Sequence, residues 1–220
     1  MGETRVVRRF LVVTALFAAP GLFAVAFTGR PELHAAINAS LPVACDPLFR
    51  YGTHLADGLV PTGIAVVLLL TSTWRRFLML GLSTAISALV VQFLKRNVFG
   101  DLLRPVEHLA SMPELRLIDG VELNHHFSFP SGHSTAAYAM CLALAVLSGR
   151  VRWAGWLAVG AAFMAFSRVY LSQHFTEDIL AGAFLGTVTA WAVHRWLYGQ
   201  AMMDRAGLDR RPVGLLAQKK

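Results

Sequence analysis

Apolar residues dominate six stretches of the chain, at about 7–28, 57–73, 77–99, 132–149, 152–170 and 178–197. A helix crosses a bilayer with about 20 mostly apolar residues, or fewer where polar ends dip into the membrane, so each stretch predicts a membrane helix. The third includes the segment FLMLGLSTAISALVVQFL, which has no charge, and the second is shorter and opens with Pro61 and Gly63. The first, RVVRRFLVVTALFAAPGLFAVAF, fits two readings. A basic start and the small-residue triplet Ala24–Ala26 resemble a cleavable signal peptide, but the run is longer than a usual signal core, which favours a retained helix kinked at Pro20-Gly21.

Composition supports the lipid reading. The 220 residues are 55% hydrophobic and 15% charged, where an ordinary soluble domain is roughly a quarter charged, and the mean hydropathy is +0.53. The net charge of +7 is distributed as a topology signal. With the N-terminus inside, the cytoplasmic segments hold Arg5, Arg8, Arg9, Arg75, Arg76, Arg150, Arg152, Arg195, Arg205, Arg210, Arg211, Lys219 and Lys220. These are thirteen of the twenty basic residues, against three of the thirteen acids, Glu3, Asp204 and Asp209. No basic-aromatic patch of the kind a nucleic-acid groove needs is present, so nucleic acid is excluded as a partner. Cys45 falls in the first outer loop and Cys141 about 12 Å down the fourth helix, which predicts two unpaired thiols.

Ionisable groups near membrane depth are costly and mark function. KRNVFGDLLRP (Lys95–Pro105) ends the third predicted helix, FPSGHS (Phe129–Ser134) opens the fourth, and SRVYLSQHFTED (Ser167–Asp178) joins the fifth to the sixth. Counting helices places all three at one membrane face. Lys95, Arg104 and Arg168 supply cations, and arginine suits bidentate contact with phosphate oxygens. Ser131 has the character of an N-cap, and Gly132 leaves the helix start open to an anion. His133 and His174 provide a possible acid and nucleophile. Asp178, four residues after His174, shares a face with it if the segment is helical and would then fix its tautomer.

Together these clusters resemble the signature of the type 2 phosphatidic acid phosphatase family, which also includes glucose-6-phosphatase and the vanadium haloperoxidases. The family pattern is K-x6-R-P, then P-S-G-H, then S-R-x5-H-x3-D. The second is met by Pro130-Ser131-Gly132-His133 and the third by Ser167, Arg168, His174 and Asp178. In the first, eight residues rather than six separate Lys95 from Arg104, which would set them on opposite faces of a continuous helix; a break at Gly100-Asp101 restores convergence, and Arg96 is the substitute for Lys95. The resemblance covers roughly residues 58–197. It implies that His174 attacks phosphorus, Asp178 orients it and His133 protonates the leaving oxygen. Lys95, Arg104, Ser131, Gly132 and Arg168 would hold the phosphoryl oxygens, with no metal or other cofactor.

The remaining polar residues read more plainly. His125-His126 with His133, His174 and Asp178 match no standard metal-ligand spacing, which leaves them as loop or substrate-contacting histidines. His54 and Asp57 read as loop residues ahead of the second helix, and Tyr170, Trp191 and Trp196 as an interfacial aromatic belt. GAFLG (Gly182–Gly186) matches a helix-packing pattern, a weak signal in a chain with 18 glycines. Residues 101–129 form a long connection that lies on the membrane surface or covers the site.

The expectation is an all-α polytopic membrane bundle of about six transmembrane helices with its site at the outer face. Residues 1–220 form one domain, with a core at 58–197, a first helix and outer loop at 1–57 and a basic cytoplasmic tail at 198–220. The expected activity is hydrolysis of a lipid phosphate or diphosphate of the undecaprenyl diphosphate, phosphatidate, phosphatidylglycerophosphate, diacylglycerol pyrophosphate or lipid A class. The expected location is a bacterial inner membrane, with the site facing the periplasm. A lipid phosphotransferase and a non-catalytic anion- or lipid-binding membrane protein are the alternatives.

Overall fold

A computed structural model describes residues 2–212, with side chains from Thr4 onward. The Glu3 side chain, Lys219, Lys220 and the end of the predicted basic tail lie outside the described residues. In chain order the helices are α1 (Gly2–Phe27), α2 (Arg30–Ala39), α3 (Asp46–Gly52), α4 (Leu59–Thr71), α5 (Trp74–Asn97), α6 (Gly132–Ser148), α7 (Val151–Tyr170), α8 (Thr176–Leu197) and α9 (Gln200–Met203), joined by short 3-10 turns. The described residues contain no strand. All six apolar runs are helical, within a few residues of their predicted ends.

Two helices are long and apolar enough to cross a membrane, α1 from Thr4 and α5; the segment Val43–Ala56 with Leu59–Thr71, bent by 46°, makes a third if it counts as one span. Helices α6, α7 and α8 form the interior of the bundle. Small and medium apolar residues bury α6 along most of its length, including Ala137, Ala139, Leu142, Ala143 and Ala145. Outside it, α1 packs Val6, Phe10 and Val13 into the same core while Leu16, Leu22 and Phe23 stay exposed, the lopsided surface of a helix that meets protein on one side and lipid on the other.

Contacts at both ends set the helix directions, α5 running antiparallel to α8 while α6 and α8 start at the same end. At one end Arg75, at the start of α5, donates to the Leu197 carbonyl at the end of α8 and pairs with Asp209 at 2.8 Å. At the other, the Ser131 N–H ahead of α6 donates to the Asp178 carbonyl in the first turn of α8 at 3.0 Å. The region expected as a plain outer loop before residue 57 holds α2 and α3. Pro31 at the first turn starts α2, and its mixed polar and apolar content gave no long apolar run to read.

Candidate active site

The site is built on the contact between α6 and α8. Ser131 caps α6, its hydroxyl accepting from the Ser134 N–H at 3.4 Å, and the Ser134 hydroxyl donates to the Ile179 carbonyl at 2.6 Å. Gly182 and Gly186 make this approach possible. A Cβ on Gly182 would sit 2.5 Å from the Ser131 carbonyl oxygen, and one on Gly186 would meet the Thr135 carbonyl. The GAFLG pattern, a weak signal in the sequence, is thus the packing contact that seats the start of α8 beside the start of α6.

Between α7 and α8 the chain turns through Leu171–Phe175. Ser172 is in the left-handed region at φ 52°, and the Gln173 and His174 N–H groups both donate to the Arg168 carbonyl, at 2.9 and 3.1 Å. His174 therefore precedes α8 rather than lying within it, and Asp178 reaches back from the first turn. His174 Nδ1 lies 3.2 Å from Asp178 Oδ2. The same oxygen accepts from the Ser128 hydroxyl at 2.5 Å and the Phe175 N–H at 3.0 Å. An ionised carboxylate only accepts, so Nδ1 carries the His174 proton and Nε2 keeps its lone pair. Burial, and after it the cations Arg104, Lys95 and Arg168, hold the His174 imidazole well below its usual 6.5, which leaves it neutral near pH 7.

Helix α5 ends at Asn97, where Val98 and Phe99 both donate to the Leu94 carbonyl, so the break comes three residues before Gly100. Beyond it the chain is extended at Arg104, which undoes the phase difference of the nine-residue step. Lys95 is buried and its Nζ donates to the Phe127 carbonyl at 2.8 Å; Arg96 is exposed to solvent or lipid. Arg104 donates through Nε to the His126 carbonyl at 2.9 Å and through Nη1 to the Gln173 carbonyl at 3.0 Å. Arg168 reaches Thr53 Oγ1 at 3.1 Å and Gln173 Oε1 at 3.3 Å, and its Nε is buried without a hydrogen-bond partner among the described residues. The long 101–129 connection covers this end of the bundle, its carbonyls gripping Lys95, Arg104 and, from Glu122, the Gln173 side chain at 2.8 Å.

The structure thus brings Lys95, Arg104, Ser131, Gly132, His133, Arg168, His174 and Asp178 to one end of the bundle. It also corrects two expectations. Asp57 is not a plain loop residue, since it accepts from His133 Nε2 at 2.8 Å and from His54 Nδ1 at 2.7 Å. Tyr170 is fully buried rather than interfacial, its hydroxyl donating to Asp46 at 2.5 Å and accepting from Arg116 at 2.8 Å, whereas Trp191 and Trp196 are exposed. His125 pairs with Glu107, and the pair His125-His126 serves the site through carbonyls that accept from Arg104. Sequence reasoning missed Ser128 and Gln173. Gln173 directly precedes the histidine, and a buried polar side chain needs hydrogen-bond partners, but only the fold reveals that its oxygen joins two cations, Arg104 and Arg168, and the Asn124 amide.

Comparison with known proteins agrees with this geometry. The chain resembles LpxE of Aquifex aeolicus, with a TM-score of 0.62 and 24% identity over 77% of this chain and 96% of that one. It also resembles the first transmembrane PAP2-type phosphatidylglycerolphosphate phosphatase from Bacillus subtilis, with a TM-score of 0.59 and 22% identity over 87% and 97%. At these identities the likeness is one of fold. The bacitracin transport permease protein BcrC of Bacillus licheniformis is 26% identical over 128 residues, 58% of this chain, and the chain spans 60% of the length of that relative. A family model described as the PAP2 superfamily matches residues 76–201, a stretch that opens at the start of α5 and contains all three polar clusters. With more than half of the chain matched and the clusters folded into one site, the chain belongs to the PAP2 superfamily.

Proposed function

We propose that this protein is a membrane lipid phosphatase working through a phosphohistidine on His174. The observation that carries the reading is the buried His174–Asp178 pair. An anion-binding site needs cations and N–H groups, which Lys95, Arg104 and Arg168 supply, but it needs no imidazole held neutral with one nitrogen fixed on a carboxylate. In the proposed reaction Nε2 of His174 attacks phosphorus and the bond to the leaving oxygen breaks. His133, as an imidazolium paired with Asp57, gives that oxygen its Nε2 proton and is left neutral, exchanging Asp57 for the substrate as partner. Water, losing a proton to His133, then cleaves the P–N bond and releases phosphate. As charge redistributes over the phosphoryl oxygens, the three cations, the Ser131 hydroxyl and the Gly132 N–H stabilise it. These positive charges fill the role that a metal ion has in other phosphoryl-transfer sites, so activity is expected to survive chelation.

A lipid substrate follows from where the site opens. A cavity of about 450 Å³ runs from His133 and Gly132 between α4 and α5 and is lined by Ala56, Leu59, Ala88 and Val91, a combination that suits a phosphate head with an apolar tail. In this reading the six long helices of the one domain, 1–220, all cross a bacterial inner membrane. Arg75, Arg76, Arg150, Arg152 and Arg195 flank the helix ends opposite the site, and by the positive-inside rule this directs the site to the periplasm. Undecaprenyl diphosphate, phosphatidate, phosphatidylglycerophosphate, diacylglycerol pyrophosphate and lipid A phosphates are the substrates to test.

The test is phosphate release from that panel by the purified protein and its His174→Ala variant, in detergent with EDTA. Release that survives EDTA and disappears in the variant supports the mechanism. Undiminished release by the variant would refute it. A product seen only when an acceptor lipid is added would move the assignment to a phosphotransferase.

A further inference from the structure

The two oxygens of Asp178 are unequally served. Oδ2 accepts from Ser128, Phe175 and His174, whereas Oδ1 is buried with no hydrogen bond among the described residues. On its side stands Arg30, the first residue of α2, with Nη2 at 3.6 Å. Three contacts fix that guanidinium. It pairs with Glu177, lies over the Phe175 ring at 4.3 Å from the centroid, and faces Asp178. All three partners lie within the four residues that follow His174.

The rest of α2 holds the turn that presents His174. His34 Nε2 lies 3.2 Å from Ser172 Oγ and packs edge-on against Phe175, while Asn38 Nδ2 donates to Ser172 Oγ at 3.3 Å. His34 and Asn38 are almost fully buried. The left-handed Ser172 and the carboxylate of Asp178 are therefore both gripped from outside the stretch matched to the family, which starts at residue 76.

We propose that Arg30 is a positioning residue for the nucleophile, acting on His174 through Asp178. When the P–N bond forms, the imidazole ring gains positive charge, and Asp178 offsets it only while it is ionised and correctly rotated. A fully buried carboxylate keeps its charge when an opposite charge stands by it, and Arg30 is the cation on the side that Lys95, Arg104 and Arg168 leave to it. In the proposed reaction those three hold the phosphoryl oxygens. Arg30 instead faces the back of the carboxylate, which separates its duty from theirs. The inference rests on the phosphohistidine reading for the consequence in turnover, but the pairing itself is independent of substrate.

The experiment compares the full-length protein with Arg30→Gln and Arg30→Lys in detergent. It measures vanadate affinity by calorimetry, kcat and KM for the best lipid substrate, and thermal unfolding. Arg30→Gln keeps a polar side chain of similar reach without charge. It is expected to lower kcat by ~10–100-fold, the usual loss when a partner behind a functional ligand is removed. KM should stay unchanged, vanadate should bind more weakly, and Arg30→Lys should recover most of both losses. A change in KM alone, unaltered vanadate affinity, or a loss that Lys fails to restore would overturn the proposal. If the wild type binds vanadate but hydrolyses no lipid, the phosphatase assignment fails, and the vanadate affinities of the two variants still decide the role of Arg30.

Discussion

Replacing Gly182 by alanine tests whether the helix contact beneath the site governs its chemistry. The new Cβ would stand 2.5 Å from the Ser131 carbonyl oxygen, 2.9 Å from Ser134 Cβ and 3.1 Å from Thr135 Oγ1. Close carbon–oxygen contacts between helices lie near 3.3 Å, so relief needs a displacement of about 0.8 Å. No rotamer change provides it, because the nearest atom is backbone and already accepts from the Thr135 N–H at 3.1 Å and the Thr135 hydroxyl at 2.8 Å. The helices must part. The Ser131–Asp178 and Ser134–Ile179 links then lengthen, which moves the His174–Asp178 pair away from the start of α6, and so the proposed nucleophile away from its proposed phosphate cradle. Overpacking of this kind costs ~1–3 kcal/mol of stability, and a misplacement near 1 Å costs ~100-fold in rate. The assay is phosphate release at a temperature where thermal unfolding shows the variant to be folded. Gly160→Ala is the control, since nothing lies within 4 Å of its Cβ position; it should gain ~0.4–1 kcal/mol with an unchanged rate. A folded Gly182→Ala protein with wild-type kcat would refute the reasoning.

Two further outcomes can be checked. Lys95→Met should lower kcat by ~10²–10³, the loss seen when one stabilising donor is removed from developing negative charge, while Arg96→Met should stay within roughly twofold, as for an exposed residue; steady-state kinetics of the pair would reverse the choice if the larger loss fell on Arg96. Burial holds His34 at about 4 against an ordinary 6.5, so the unfolded chain binds the extra proton first as pH falls. This contribution is absent above pH 6.5 and lowers stability through the window from 6.5 to 4, by up to about 3 kcal/mol. The fall in unfolding temperature between pH 7.5 and 4.5 should be smaller in His34→Gln than in the wild type, and equal falls would contradict it.

The six long helices were readable because lipid and core both select long apolar runs, and these leave an unmistakable trace in the chain. Helices α2 and α3 left none. Their residues alternate between a protein face and a polar one over ten residues or fewer, and Pro31 and Pro47 look like loop punctuation until they are seen in the first turns. The chemistry-bearing residues of the site were readable where they cluster locally, as in the turn from Arg168 to Asp178. The supporting residues were not. Arg30, Asp57 and Ser128 reach their partners across long stretches of chain, and nothing in their immediate neighbourhood distinguishes them from surface polar residues. Tyr170 shows the converse error: a tyrosine near a predicted helix end suggests the membrane interface, but here its hydroxyl is part of an Asp46–Arg116 network that fastens the covering loop.

The glycine-lined seam between α6 and α8 also bears on the order in which the protein becomes competent during synthesis. Lys95, Arg104, Arg168 and the Ser131 cap of α6 leave the ribosome before Asp178 does, and α8 follows α5, α6 and α7 in the chain. Until α8 brings Gly182 and Gly186 against α6, the nascent chain holds those cations without the carboxylate that meets His174 Nδ1. The complete site therefore arises only when α8 docks, after α5, α6 and α7 have been made.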